Sequence, residues 1–278
     1  MADVRGLLEI AKVADPRREA DALYAAVVCG SASTAFLNRD QPIAAAVRDR
    51  LMLAAERLAA GWPTAYAAGR ANFRGHWLAV DQRVLIPRPE TEGLVDLVLS
   101  VCPSDRLAVC ADIGTGSGAI AIALALEPGI LGVIATDISA DALNVALENA
   151  ASLGVKERIS FRRGDLLLPL LGDAVDVIVS NPPYVATGEW HALESPVRDY
   201  EPRLALDGGA DGLVPYRALV TQAREALTPG GLLALEVDAL RAQQTAALAV
   251  QAGFERVEVR DDLFGRPRYL LGRQPEQS

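Results

Sequence analysis

A glycine-rich turn between an apolar strand and an apolar helix constrains the fold of this chain more than any other feature. The segment is VCADIGTGSGAIAIALA, residues 109–125. Gly114, Gly116 and Gly118 allow tight turns and let a ligand approach the backbone without meeting a Cβ atom. A loop of this kind, after a strand and before a helix, is typical of nucleotide-binding crevices. Gly114, Gly116 and Ala119 also fit the dinucleotide form G-x-G-x-x-A, so the loop alone leaves the cofactor open.

Apolar strands alternate with helical patterns from about Leu107 onward. Predicted strands occupy LAVCADI, LGVIATD, ISFRRGD, VDVIVSN and LLALEV. Pro229, Gly230 and Gly231 predict a turn before the last of these. The alternation indicates βαβ units and a parallel sheet covered by helices on both faces. Two further segments, RVEVRDD and RPRYLLGR, predict a terminal hairpin that adds one antiparallel strand. We therefore predict an α/β, doubly wound fold.

Residues 1–62 are rich in alanine and show helical patterns. The clearest helix has apolar residues at spacings of four, four, three and four: Ile43, Val47, Leu51, Ala54 and Leu58. Asp40 suits its N-cap, and Pro42 suits its first turn. An earlier helical pattern ends at Gly30 and consists of Ala20, Leu23, Tyr24 and Val27. With eight basic and eight acidic residues, this neutral module fits protein docking or a structural cap better than nucleic-acid binding.

Between the helical module and the alternating region, NFRGHWLAVDQRVLIPRPETE predicts a β-hairpin followed by a proline-stiffened segment. The two strands are expected around Trp77–Val80 and Arg83–Ile86. The chain is thus predicted to have three parts: a helical docking domain (1–70), a β-hairpin linker (71–92) and an α/β domain (93–278).

The net charge of −9 argues against broad affinity for nucleic acid, because phosphate binding needs clustered lysine and arginine. No apolar run approaches the roughly 18 to 20 residues of a membrane span. Charges are mixed through the first 23 residues, unlike the apolar stretch of a signal peptide. We therefore expect a cytoplasmic protein that binds neither nucleic acid nor a membrane.

The cysteines and histidines argue against a metal site. Cys29, Cys102 and Cys110 are odd in number and widely spaced, without a CxxC motif, so a disulfide framework or a zinc site is not expected. His76 and His191 are isolated, and neither belongs to an HExxH motif or a His/Cys cluster. We therefore expect no metal site.

Acidic residues end three successive predicted strands near the glycine loop. Asp112 is two residues before Gly114, where a carboxylate suits an amino-acid ammonium better than a pyrophosphate. Asp137 is placed to accept from ribose hydroxyls, and Asp165 is suited to accept from an adenine amino group. Each aspartate alone is equally consistent with a helix N-cap or a solvated loop charge. Together they favour S-adenosylmethionine, which has an ammonium, a sulfonium, a ribose and an adenine but no phosphate.

The fourth predicted strand ends in Asn181-Pro182-Pro183-Tyr184, on the same sheet edge as the glycine loop. A conjugated NH2 group has a delocalised lone pair, so methylation needs two acceptors that orient its N–H bonds and stabilise the growing charge. Asn181 has a side-chain oxygen for one bond, and Pro182 has a rigid backbone carbonyl for the other. Tyr184 offers a flat wall for the planar group. A turn that merely ends the strand is the alternative.

No histidine base is required for this chemistry, because the nitrogen becomes acidic only as it is alkylated. The scarcity of histidine, two residues in the whole chain, fits that requirement. We therefore assign the catalytic role to Asn181, Pro182 and Tyr184.

Four segments together resemble the bacterial glutamine-N5 methyltransferases that modify peptide chain release factors. They are LIPRPETE (85–92), DIGTGSGAIA (112–121), SNPPYV (180–185) and YEPRLALDGGADGL (200–213). The resemblance covers nearly the whole chain. NPPY alone is shared with DNA adenine and cytosine amino-methyltransferases, whereas the first and last segments are much more specific to this family.

The resemblance implies a seven-stranded, mostly parallel sheet of the Rossmann-like class I methyltransferase type, with a small all-helical N-terminal domain and a connecting β-hairpin. It implies S-adenosyl-L-methionine as cofactor and S-adenosyl-L-homocysteine as product. The implied substrate is the glutamine in the Gly-Gly-Gln loop of a release factor, methylated on N5. The helical module is implied to help hold the release factor, and we expect a monomer.

The resemblance also implies site residues. Cofactor contacts are implied for Gly114, Thr115, Gly116, Ser117, Gly118, Asp137, Asp165, Leu166 and Asn181. The pocket for the target glutamine is implied for Asn181, Pro182, Pro183 and Tyr184.

Two positions depart from the family pattern. Leu166 stands where some members have tryptophan, so aliphatic packing would replace stacking on adenine. Asp238 and Ala239 stand where the family tends to have a glycine after Leu-Glu, which leaves the role of that loop open. The roles of Arg88 and Glu90 are open as well.

Four alternative functions share part of this sequence pattern. A glutamine methyltransferase of a ribosomal protein would differ only in its docking surface. An adenine-N6 or cytosine-N4 methyltransferase would grip the same kind of NH2 group, but it would need a basic region and would have to extract a base. A non-catalytic binding module is disfavoured because every element for the chemistry is present. An NAD dehydrogenase is disfavoured because no evident proton donor lies near the glycine loop.

Overall fold

A computed structural model describes residues 1–28, 30, 43–102 and 107–276 of the chain. Its described residues form two compact units. The first contains Met1–Ile86 and Leu193–Glu201, and the second contains Pro87–Ala192 and Pro202–Ser278. The assignment of Leu193–Glu201 to the first unit is a long-range relationship that no local sequence pattern predicts.

Helices dominate the first unit. Their bounds are α1 Ala2–Ile10, α2 Pro16–Val28, α3 Ala45–Ala59 and α4 Thr64–Ala68. Helix α8, Ser195–Tyr200, lies in the segment Leu193–Glu201, with which the chain returns to this unit. The apolar faces of α1 to α4 share one core, in which Leu8, Leu23 and Leu51 are almost completely buried. Small alanine side chains between these larger ones allow helices to approach closely.

The helical spacing in the sequence predicted a face on each of two helices. All of Ala20, Leu23, Tyr24 and Val27 are buried on α2, and Leu51, Ala54 and Leu58 are buried on α3. Val47 is only half-buried, and Ile43, also half-buried, precedes the first residue of α3, so the predicted pattern begins before the helix does. The predicted capping residues Asp40 and Pro42, and also Cys29, lie outside the described residues.

The segment Leu193–Glu201 contacts Ala60, Trp62 and Ile86 of the first unit through an aromatic pair and two hydrogen bonds. The rings of Trp62 and Tyr200 lie 5.3 Å apart between centroids. Tyr200 Oη donates to the carbonyl of Ala60 at 3.1 Å. The backbone N–H of Ile86 donates to the Glu201 carboxylate at 3.2 Å. These contacts explain why Leu193–Glu201 belongs to the first unit.

The β-hairpin of the first unit lies earlier in the chain than predicted. Strand β1, Arg70–Phe73, pairs antiparallel with β2, His76–Ala79. The predicted pairing of Trp77–Val80 with Arg83–Ile86 is therefore wrong, because only the first of these segments overlaps a strand of the hairpin.

A two-residue turn explains the observed hairpin. Arg74 and Gly75 both have positive φ, 51° and 80°, as hairpin turns of two residues require. Asn72 Oδ1 accepts from the backbone N–H of Gly75 at 3.2 Å, which supports that turn from a side chain. Farther along, Asp81 accepts from the backbone N–H of Arg83 at 3.0 Å, so this region forms a turn instead of a strand.

The second unit is built on a single sheet of seven strands. Their bounds are β3 Ala108–Ile113, β4 Ile130–Asp137, β5 Ile159–Arg163, β6 Val175–Ser180, β7 Leu227–Glu236, β8 Glu255–Asp261 and β9 Pro267–Arg273. Their order is β5-β4-β3-β6-β7-β9-β8. Strand β9 pairs antiparallel with β7 and β8, and the other neighbours are parallel. The predicted α/β, doubly wound, mostly parallel fold is confirmed.

Helices cover this sheet. Their bounds are α5 Pro89–Val101, α6 Ala119–Leu126, α7 Ala140–Ser152, α9 Val214–Ala226 and α10 Ala242–Gln251. Every residue of β6, at the centre of the sheet, is buried, as expected for a parallel strand covered on both faces. On α9, Tyr216 and Leu219 are completely buried in the sheet core.

Strand β7 contains an irregularity where the sequence predicted a turn. It begins at Leu227, and its pairing with β6 changes register between Val175 and Val177. Gly230 has a φ of 73°. A Cβ at Gly231 would lie 2.8 Å from the carbonyl oxygen of Thr228. The glycines therefore form a bulge within β7, and the predicted turn ahead of the strand is wrong.

Candidate active site

The carboxyl ends of four parallel strands lie at one edge of the sheet. These ends are Ile113 on β3, Asp137 on β4, Ser180 on β6 and Glu236 on β7. Ser180 Oγ donates to the carbonyl of Ile113 at 2.6 Å, which ties β6 to β3 immediately before Asn181. The glycine loop and the NPPY segment therefore share one edge, where ligands bind in sheets of this type.

The glycine loop between β3 and α6 is held against β4. Gly114, Gly116 and Gly118 have φ of 73°, 54° and 82°, which residues with a Cβ adopt only at a cost. The backbone N–H groups of Gly114 and Thr115 both donate to the carbonyl of Thr136, at 2.9 and 2.8 Å. The loop is therefore anchored on its neighbouring strand.

The second half of the loop packs against α7. Ser117 is buried, and its carbonyl accepts from Asn149 Nδ2 at 2.9 Å. A Cβ at Gly118 would lie 3.1 Å from the Cβ of Ala146, tighter than ordinary contact. Gly118 is thus required for close helix packing as well as for its backbone angle.

Asp137 uses both carboxylate oxygens to shape this edge. Oδ2 accepts from the backbone N–H of Gly116 at 2.9 Å, and Oδ1 accepts from that of Ser139 at 2.9 Å. Burial raises the pKa of Asp137, and these backbone N–H groups oppose the rise. Each oxygen keeps a further lone pair, so the group can still accept from hydroxyls.

Asp112 is buried beneath the glycine loop. Its Oδ2 accepts from Thr115 Oγ1 at 2.7 Å and from the backbone N–H of Ala121 at 3.0 Å. Its Oδ1 has no hydrogen-bond partner among the described residues. Burial raises the pKa of Asp112 to about 7. A buried carboxylate oxygen without a partner suits a cationic group, so this residue fits the ammonium of the expected cofactor.

Asp165 and Leu166 form the turn after β5. Asp165 is exposed, and its backbone carbonyl accepts from the N–H of Leu168 at 3.0 Å. Leu166 is half-buried against the sheet core, with a φ of 47° and a carbonyl that accepts from Thr136 Oγ1 at 2.9 Å. The turn is therefore tied to β4, and contacts of these two residues with an adenine stay a prediction.

Asn181 follows β6 and belongs to a chain of hydrogen bonds. Its Nδ2 donates to Thr91 Oγ1 at 3.1 Å, and Thr91 Oγ1 donates to Glu236 Oε2 at 2.7 Å. Because the amide is planar, a bond from Nδ2 to Thr91 turns Oδ1 away from Thr91. The arrangement can therefore present an acceptor oxygen to an incoming N–H group.

Glu236 ends β7 and is almost completely buried. Burial raises its pKa to about 7, and the negative charge of Glu90 adds to the rise. The hydrogen bond from Thr91 and the positive charges of Arg268 and Arg88 act in the opposite direction. Ionised Glu236 is therefore supported by one hydroxyl donor and two nearby cations.

The segment after Asn181 is braced by residues 206–212, within the YEPRLALDGGADGL signature. The N–H of Val185 donates to the carbonyl of Leu206 at 2.9 Å, and the N–H of Gly208 donates to the carbonyl of Val185 at 2.8 Å. A Cβ at Gly208 would lie 2.8 Å from the Pro183 carbonyl oxygen. Glycine is therefore required for the close approach of these two backbones.

Pro182 is buried, whereas Pro183 and Tyr184 are half-buried. Burial raises the pKa of Tyr184 to about 12, and the charge of Glu236 contributes to the rise. The phenol therefore stays neutral and serves as an apolar wall with a polar tip. Asn181 and Tyr184 are brought to the predicted edge, while their contacts with a substrate stay a prediction.

Sequence reasoning missed Thr91 and Glu236 as site residues. Thr91 lies in LIPRPETE, a segment much more specific to the family than NPPY, and that specificity could have marked Thr91 as a candidate. Glu90, whose role was open, has structural contacts: its carbonyl accepts from Tyr269 Oη at 2.7 Å, and its carboxylate lies 3.5 Å from Arg266. These contacts fix the first turn of α5, from which Thr91 projects.

The described residues contain no group of three or more His, Cys, Asp or Glu side chains arranged to hold a metal ion. Within the same ranges, no helix is both long and apolar enough to cross a bilayer.

Two family models match the chain. The model described as "Methyltransferase small domain" matches residues 95–262, and the model described as "PrmC N-terminal domain" matches residues 1–69. Among solved structures, the hMettl16 catalytic domain in complex with the MAT2A 3′UTR hairpin 6 has a TM-score of 0.59, 18% identity and 83% coverage of both chains. At that identity the likeness concerns the fold alone.

Full-length relatives are more informative. The chain is 43% identical over 264 residues to the release factor glutamine methyltransferase of Moorella thermoacetica, covering 94% of this chain and 93% of that protein. It is 41% identical over 273 residues to the release factor glutamine methyltransferase of Cereibacter sphaeroides, covering 98% and 91%. The chain therefore belongs to the release factor glutamine methyltransferase family.

Proposed function

We propose that this protein transfers a methyl group from S-adenosyl-L-methionine to the side-chain amide nitrogen of the glutamine in the Gly-Gly-Gln loop of peptide chain release factors. S-adenosyl-L-homocysteine is the second product. The observation that carries the proposal is the orientation of Asn181, whose Nδ2 is engaged by Thr91 so that Oδ1 is available as an acceptor. Membership of the family supports the choice of substrate.

The residues at the sheet edge fit the cofactor. Asp112 has a buried oxygen without a partner among the described residues, which suits an ammonium. Asp137 has lone pairs for ribose hydroxyls, and the loop Gly114–Gly118, which includes Thr115 and Ser117, has a backbone free of Cβ atoms at its three glycines. Asp165 with Leu166 would contact the adenine. When bound, the cofactor supplies an electrophilic methyl group on a sulfonium.

The NPPY segment would hold the substrate amide. Asn181 Oδ1 and the Pro182 carbonyl would accept hydrogen bonds from the two N–H groups of the glutamine amide. Tyr184 and Pro183 would pack against the flat face of that amide. Acceptors fixed before the substrate arrives stabilise the positive charge that develops on nitrogen, because they need no reorganisation during reaction. Orienting the amide also removes part of the entropic barrier.

The helical docking domain, residues 1–70, would hold the release factor, and the α/β domain from residue 93 would carry the chemistry. The protein would work as a cytoplasmic monomer. Equal numbers of acidic and basic residues in 1–62 support a protein partner over nucleic acid.

The test is methyl transfer from labelled S-adenosyl-L-methionine to a purified release factor, with mass analysis of the tryptic peptide that contains the Gly-Gly-Gln loop. We expect one methyl group on that glutamine. Asn181→Ala should lower kcat by at least about a hundredfold while cofactor binding, measured by calorimetry, largely survives. An unmodified glutamine together with methylated DNA or a methylated ribosomal protein would refute the proposal in favour of the corresponding alternative.

A further inference from the structure

We propose that Thr91 and Glu236 are positioning residues that set the direction of a hydrogen-bond chain, and that this direction makes Asn181 present an acceptor to the substrate amide. The inference rests on the proposed function, because it assigns a cause to the orientation of Asn181 in that reaction. Thr91 and Glu236 lie outside the NPPY segment, and the preference for a neutral glutamine amide over a carboxylate would depend on them.

The hydrogen-bond chain is short and is contributed by three separate segments, and two of its three members are buried. Asn181 Nδ2 lies 3.1 Å from Thr91 Oγ1, which lies 2.7 Å from Glu236 Oε2. Thr91 is 4% exposed and Glu236 is 1% exposed. Thr91 and Glu236 therefore depend on their protein partners, since an unsatisfied buried polar group is costly.

The carboxylate at the end of the chain sets its direction. Where Glu236 is ionised, at pH above its pKa of about 7, it can only accept hydrogen bonds, so Thr91 donates its single hydroxyl proton to Glu236. Thr91 Oγ1 can then only accept from Asn181. The side chain of Asn181 therefore turns Nδ2 toward Thr91 and Oδ1 away from it.

The backbone is held by independent contacts at two of the three members of the chain, Thr91 and Glu236. Tyr269 Oη donates to the carbonyl of Glu90, next to Thr91, at 2.7 Å. Tyr216 Oη donates to the backbone carbonyl of Glu236 at 2.8 Å. Because both contacts are made to backbone carbonyls and involve none of the three side chains that form the chain, a substitution that reverses the chain leaves these anchors in place.

An amide at position 236 removes the constraint on direction. In Glu236→Gln the new NH2 group can donate to Thr91, which is then free to donate to Asn181 Oδ1. Asn181 can rotate its amide by a half-turn and present Nδ2 to the substrate. A donor that faces the N–H bonds of glutamine is repulsive, whereas the same donor attracts a carboxylate.

The experiment compares four variants of the full-length enzyme: Glu236→Gln, Thr91→Val, Thr91→Ser and Thr245→Val. Thr245→Val is the matched control, because Thr245 is a fully buried threonine whose Oγ1 donates to the carbonyl of Arg241, the N-cap of α10, at 3.0 Å. Each variant is measured for kcat and KM with release factor, for S-adenosyl-L-methionine affinity by calorimetry and for thermal unfolding.

We expect Glu236→Gln and Thr91→Val to lower kcat by about a hundredfold, with cofactor affinity changed by less than about threefold. Thr91→Ser should keep most of the kcat that Thr91→Val loses, because serine retains the hydroxyl. Thr245→Val should match the unmodified enzyme in kcat after correction for folded fraction.

A specificity readout separates orientation from simple damage. The readout is the affinity for a release factor whose target glutamine is replaced by glutamate, divided by the affinity for the glutamine form. We expect this ratio to be roughly tenfold higher for Glu236→Gln than for the unmodified enzyme. Loss of packing alone would weaken binding of the glutamine form and the glutamate form equally.

The outcomes are distinguishable. If the unmodified enzyme does not methylate the release factor, the proposed function fails. If it does, and Glu236→Gln keeps both its kcat and its preference for glutamine, the inference is overturned. Should Glu236→Gln not fold, Thr91→Val decides the question, and unchanged kcat in that variant overturns the inference as well.

Discussion

Asp137 Oδ2 accepts a hydrogen bond from the backbone N–H of Gly116 at 2.9 Å, across the gap between β4 and the glycine loop that follows β3. Its other oxygen accepts from Ser139 at 2.9 Å. One carboxylate thus sets the shape of the loop and the start of α7. The residue predicted to bind a ribose is also the residue that holds the binding loop in place.

This relationship predicts the effect of Asp137→Asn. Asparagine has one acceptor oxygen for two backbone N–H groups, so its NH2 must face one of these donors. We expect the affinity for S-adenosyl-L-methionine to fall about tenfold or more, measured by calorimetry. Asp141→Asn is the control, since Asp141 is exposed in the first turn of α7. Equal affinities in the two variants would contradict the assigned role of Asp137.

The shared edge of the sheet was predictable, whereas the partners within it were not. Alternating strand and helix patterns place the ends of parallel strands together, so Asp112 and Asn181 were expected at one edge. The bond between Thr91 and Glu236 joins residues 145 positions apart, and no local periodicity encodes such a pair.

The β-hairpin shows a second limit of local patterns. Trp77–Val80 and Arg83–Ile86 both have strand-like composition, yet the turn geometry at Arg74-Gly75 decided which residues pair. The turn fixes the register of a hairpin, and a shift of one residue would move every side chain to the other face. Turn residues were therefore a stronger signal for this hairpin than the strand-like composition of the segments.

Asp112 predicts how stability depends on pH. Its pKa is raised from 3.8 to about 7 by burial, so the folded state binds a proton more tightly than the unfolded chain. Its contribution to the free energy of unfolding is therefore lost as pH rises from about 4 to 7 and stays lost above that. We expect Asp112→Asn to remove this dependence and to raise the Tm of the cofactor-free protein at pH 8 by a few degrees.

The same substitution should weaken cofactor binding, because an asparagine NH2 at the position of Oδ1 would face an ammonium. Thermal unfolding between pH 5 and pH 8, with and without S-adenosyl-L-methionine, measures both effects. A variant whose Tm declines with pH as steeply as the unmodified protein would show that Asp112 does not titrate in this way.

The helical module predicts a division between substrate and cofactor binding. Residues of α1 to α4 share a core of their own, and the edge residues Asp112 and Asp137 belong to the second unit. Deleting residues 1–62 should therefore weaken binding of the release factor by at least about tenfold and that of S-adenosyl-L-methionine by less than about threefold. Calorimetry with each ligand measures this, and equal losses would assign the module to folding alone.

The brace behind the NPPY segment predicts a steric effect on catalysis. A Cβ at Gly208 would lie 2.8 Å from the Pro183 carbonyl oxygen and 2.9 Å from Tyr184 Cα, so Gly208→Ala must displace the segment that would hold the glutamine. Small displacements at reacting groups cost about tenfold to a hundredfold in rate. We expect kcat to fall by this factor with little change in cofactor affinity. Gly188→Ala, whose Cβ meets no atom within 4 Å, should retain full activity, and equal rates in both variants would exclude the brace.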